Sequence, residues 1–123
     1  MPKFILIENQ NRKIDNLPRI NYCDTFATQL RGFTFHPRLH LDEGLILVGK
    51  RDSSLDSSIH MLFVSFDLAV FWINSNMQVV DKVIAKSWRA AYFSKQPAKF
   101  VLEIHPDRWG DYEVGDTVQF KDA

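Results

Sequence analysis

Hydrophobic and polar positions along this chain alternate with a period of two in several short stretches and merge into one unbroken apolar run near the middle. KFILI at 3–7 is a β-prone segment that ends in ENQNRK, where Asn9 and Asn11 tolerate the backbone of a tight turn. It predicts a first hairpin or edge strand. RINYC at 19–23 reads as extended, and Asp24 or Thr25 can cap a helix whose Phe26, Leu30 and Phe33 fall at i, i+4 and i+7. Gly32 fits its termination. LDEGLILVG predicts a strand bounded by Gly44 and Gly49, and the polar KRDSSLDSS after it predicts a mobile loop.

The most apolar part runs from His60 to Asn74, and LAVFWI at 68–73 is continuous, as expected of a central strand covered on both faces. Asn74, Ser75 and Asn76 form a turn signal, so QVVDKVIA should return beside it as a hairpin. In FVLEI the alternation sets Phe100, Leu102 and Ile104 on one face and Val101 with Glu103 on the other, predicting that Glu103 faces solvent or a polar cleft. TVQFK closes the series after the irregular HPDRWGDYEVGD. About six strands and one principal helix make a β-rich α+β fold, with a mostly antiparallel sheet or a partly closed barrel.

At 123 residues the chain fits one domain, 1–123, and 46% hydrophobic residues supply a conventional core without metal or disulfide. Fifteen basic and fifteen acidic residues cancel, so no long-range field favours a polyanion or a membrane surface, and neither nucleic acid nor membrane is an expected partner. Cys23 is the single cysteine and MPKFILIE lacks the form of a secretion signal, which together predict a soluble cytoplasmic protein. The apolar stretch at 59–73 is interrupted by His60, Ser65 and Asp67 and falls short of the roughly 20 residues a bilayer needs.

Several of these segments, in this order and spacing, resemble the domain of unknown function 192 family over about residues 22–120. They are the Arg31-Gly32 pair at a helix end, GLILV, the block from Ile59 to Ile73, VVDKVI, AKFVLEI and the late EVGDTV. The resemblance implies a compact β-rich α+β domain and brings no reaction, cofactor or partner with it. Two positions depart from the pattern. Asp67-Leu68-Ala69 stands where the family usually has Pro-Leu-Asp, and His105-Pro106-Asp107 follows the Leu-Glu strand where a glycine is common.

Four residues are candidates for binding a ligand: Arg31, His60, Asp67 and Glu103. A histidine entering an apolar run either bonds backbone at a strand end or serves as a base or ligand contact, since imidazole titrates near pH ~6.5. Arg31 either bonds helix C-terminal carbonyls or grips a carboxylate, from Glu103 or a ligand. Met61 reads as core filler. His36 and His40, four apart with Asp42 and Glu43 behind, give only a thin metal signal, and no metal or cofactor is expected. Glycine-rich phosphate loops and the familiar hydrolase and zinc motifs are absent.

Charge is uneven locally. Lys82, Lys86, Arg89, Lys95 and Lys99 share 82–99 with Trp88, Tyr92 and Phe93 and no acid, whereas 103–116 carries Glu103, Asp107, Asp111, Glu113 and Asp116 against Arg108. Trp88, Arg89 and Trp109 are therefore candidates for an interaction surface, with burial of the aromatics or a Trp109 lid over the core as the plainer readings. The expected function is a non-enzymatic module for a small ligand or protein, rimmed by Arg31 and His60. The alternative is a small acid-base enzyme using His60 with a carboxylate. Oligomeric state stays open between monomer and homodimer.

Overall fold

A computed structural model describes residues 3–24, 38–61, 64–89 and 91–123. Seven strands form one sheet: β1 (Phe4–Asn9), β2 (Arg19–Cys23), β3 (Glu43–Ser53), β4 (Leu68–Ile73), β5 (Val79–Ala85), β6 (Ala98–Ile104) and β7 (Val118–Asp122). Their order is β5-β4-β6-β3-β2-β1-β7. All neighbours are antiparallel except β2 and β3, which run parallel, so the sheet is mixed. The predicted helix and its Phe26, Leu30 and Phe33 lie outside the described residues. Among the described residues the helical element is a 3-10 turn, Pro106–Asp111.

The sheet curls into an open half-barrel whose outermost strands meet at one end. There Gln78 bridges Thr117, Val79 N–H donates to the Asp116 carbonyl at 2.9 Å, and Val118 N–H donates to the Met77 carbonyl at 2.8 Å. The concave face buries Ile5, Ile7, Ile20, Ile46, Phe71 and Leu102 with their neighbours. Gly44 lies on this face because a Cβ there would come within 2.6 Å of the Ile104 side chain and 2.8 Å of the Glu103 carbonyl.

A second apolar layer covers the convex side of β3, β6, β4 and β5. It is built from Ile59, Met61 and Val64 packed on Leu68, Val70, Trp72 and Val101. The Trp72 indole N–H donates to the Ser57 carbonyl at 2.8 Å, tying that layer down. Every residue of β4 is consequently buried, as its unbroken apolar run predicts. β4 is an interior strand, one place in from the edge, rather than the middle of the sheet. β1 is also interior, between β2 and β7, and β3 extends through Lys50–Ser53, where the sequence suggested a loop.

Candidate functional site

The chain leaving β5 is fastened at Lys86–Arg89 and again at Tyr92. Asp67 accepts from Ser87 N–H at 2.9 Å and from Lys86 Nζ at 3.3 Å, and Tyr92 Oη accepts from Lys86 N–H at 2.8 Å. Backbone bonds then lace the segment to the covering layer: Trp88 N–H to the Met61 carbonyl, Met61 N–H to the Arg89 carbonyl, and Ile59 reciprocally with Tyr92. The Ser87 amide, with help from Lys86, holds the Asp67 carboxyl below its ordinary range, so it stays ionised in this role.

What this scaffold presents is unusual chemistry for a surface. Trp88 has φ 66° and yet is 56% exposed, and Phe93 is 55% exposed. His60 and Arg89 are exposed alongside them. A left-handed backbone costs a non-glycine residue roughly 1–2 kcal/mol, which the surrounding bonds must offset. The aromatics of 82–99 are thus only partly absorbed by the core: Tyr92 packs against it, while Trp88 and Phe93 project. Met61 is fully buried core, as its chemistry suggests.

The four predicted ligand contacts do not converge among the described residues. Arg31 lies outside them. His60 and Asp67 belong to the two strands of chain that frame Trp88, but Asp67 spends both oxygens on Ser87 and Lys86 rather than on His60. Glu103 corrects the sequence expectation: it is 7% exposed, set beside Leu45 and Val70 under the second layer rather than towards solvent. Burial raises its carboxyl to about 8, and among the described residues no side chain bonds it. Cys23, on the same face, is raised to about 11 mainly by burial. Among the described residues neither carboxylate is hydrogen-bonded to His60.

Trp109 is the lid rather than a projecting contact. It packs partly buried against the concave core, 6.1 Å from the Phe71 ring, beneath the Lys82 ammonium. Arg108 beside it is buried and donates to the Leu41 and Asn16 carbonyls and to Asp111, a set of structural bonds that sequence gave no sign of. Among the described residues no three potential metal ligands cluster, and His40 is exposed while His36 lies outside them. Among them, too, no helix is long and apolar enough to cross a membrane.

The domain of unknown function 192 family, described as "Uncharacterized ACR", matches residues 6–120. A UPF0127 protein of Thermococcus gammatolerans is 33% identical over 82% of the chain, which spans 65% of that relative's length. Two crystal structures share the fold at a TM-score of 0.79. One, a protein of unknown function from Novosphingobium aromaticivorans, is 20% identical, with 96% of this chain and 84% of that one aligned. The other, from Sinorhizobium meliloti, has been suggested to be a transcription regulator; it is 14% identical over 98% and 94% of the two chains. At these identities the likeness is one of fold alone.

Proposed function

From the premise that the chain belongs to the domain of unknown function 192 family, a β-rich family without an assigned activity, we propose that it is a non-enzymatic module that binds a protein segment on the His60–Trp88–Arg89 surface. The observation that carries this reading is Trp88, exposed while its backbone is held in a left-handed conformation. Tryptophan and arginine are the residues that dominate binding energy at interfaces, and here both stand exposed on a backbone held by bonds to Met61. The fixed loop also lowers the ordering cost of association. The exposed Arg89 favours a partner with acidic groups around an apolar anchor. In this reading residues 1–123 act as one cytoplasmic domain.

The test is parallel capture from a cell extract by the wild-type chain, Trp88→Ala and Arg89→Ala, followed by titration of the purified captured protein. A partner held by the wild type and weakened roughly tenfold or more by either variant, at unchanged melting temperature, supports the surface. Equal retention by all three chains would remove it, and loss of folding in both variants would make the two residues structural. A captured second copy would identify the partner as the chain itself.

A further inference from the structure

The opposite half of the sheet holds a second, independent arrangement. Arg19 and Glu43 are direct partners in the parallel β2–β3 register. Opposite charges in such positions ordinarily pair, their Cβ atoms lying about 5 Å apart. Here they turn away from each other. The Arg19 guanidinium lies over the Phe4 ring, 3.6 Å from its centroid, and Glu43 Oε1 accepts from His40 N–H at 3.0 Å. Between them opens a cleft of about 440 Å³, floored by Gly44 and Leu45 and flanked by Asn21 and Asp42.

We propose that this cleft binds a small zwitterion, an α-amino acid with an apolar side chain. The charge pattern selects that class. A simple anion would meet Asp42 and Glu43, and a simple cation would meet Arg19, but a molecule carrying both charges complements both walls. Stacking on Phe4 leaves the edge of the guanidinium fork for a carboxylate. The Asn21 amide, which bonds no other described residue, supplies a second donor beside it. Glu43 keeps one oxygen for an ammonium, with Asp42 adjacent, and the half-buried Phe4 ring offers the apolar contact for the side chain. The volume lies within the usual range for small-molecule sites.

The test is a titration of the full chain with L-leucine followed by backbone amide NMR, alongside 4-methylpentanoate, which lacks the ammonium, and leucinol, which lacks the carboxylate. Leucine should shift the Asn21, Gly44 and Leu45 amides saturably. Each analogue, and each of Arg19→Gln and Glu43→Gln, should weaken that binding by roughly 10- to 100-fold, the value of a charge-assisted bond. Trp88→Ala should leave it unchanged, which separates this site from the protein-binding surface. Absence of saturable shifts with leucine into the millimolar range, equal binding of leucinol, or shifts centred elsewhere would overturn the assignment. Should Arg19→Gln fail to fold, Arg19→Lys keeps the charge without the flat stack and must still weaken leucine.

Discussion

Lys82 lies with its ammonium 3.8 Å from the centre of the Trp109 ring and 2.9 Å from a Glu113 carboxylate oxygen. The same nitrogen donates to the Trp109 and Tyr112 carbonyls at 3.0 and 3.2 Å. One side chain on the edge strand β5 thereby fastens the 3-10 turn over the opening between the ends of the curled sheet. Lys82→Ala should cost about 2 kcal/mol, since it removes a shielded cation from an aromatic face and leaves two carbonyls to find water. Lys82→Arg should recover only part of this. Chemical denaturation of the three chains checks both statements, and equal midpoints would show the cap to be ornamental.

Glu103 sets a pH dependence whose sign follows from its burial. Its folded carboxyl, at about 8, lies above the ordinary 4.5, so the native state holds a proton that the unfolded chain has released. Stability from this group is complete below about 4.5 and declines as pH rises through 8. Glu103→Gln should flatten that decline by an amount on the order of a few kcal/mol. Melting temperatures of both chains from pH 5 to 9 provide the measurement; parallel curves would mean that Glu103 ionises freely.

Gly44→Ala should destabilise by roughly 2–3 kcal/mol, because the new methyl collides with the Ile104 side chain, the Glu103 backbone and Ile20 at once. Backbone contact cannot be relieved by a rotamer change. Gly110→Ala is the matched control, as a Cβ there meets nothing within 4 Å. Similar losses in both would refute the packing argument.

Trp88→Gly and Trp88→Ala remove the same indole but treat the backbone differently. Glycine accepts φ 66° without steric cost and alanine does not, so the glycine variant should be the more stable by about 1 kcal/mol. Reversal of that order in thermal unfolding would argue that the left-handed conformation is not retained in solution.

Much of the sheet could be read from local pattern. LAVFWI announced a strand buried on both faces, and the Asn74–Asn76 turn announced its hairpin with β5, because both signals lie within a few residues of what they determine. FVLEI gave the face of Phe100, Leu102 and Ile104 correctly but misjudged Glu103. Period two distinguishes the two faces of a strand, and it does not say whether the second face meets water or another layer. Here that layer includes Ile59, Met61 and Val64, apolar residues that read as the start of the long strand.

The candidate sites were legible only as composition. Trp88 and Arg89 stood out as an aromatic and a cation in a basic stretch, but the Asp67 clamp that presents them spans twenty residues. Arg19 gave no signal at all. Its relation to Glu43 depends on a parallel pairing across a connection of nineteen residues, and its relation to Phe4 on a stack across a separate pair of strands. The pocket belongs to the register, which no local window contains.

The pairing of β1 with β7, sealed by the Tyr112 hydroxyl on the Ile7 carbonyl, has a consequence for the order of events during synthesis. Strand β1 acquires one of its two neighbours only after residues 118–122 have been made. Until then its outer rim, Ile5 to Asn9, is an open template for another nascent chain. Closure of this edge thus waits on β7, and a chain stalled before residue 118 would be held in its most adhesive form.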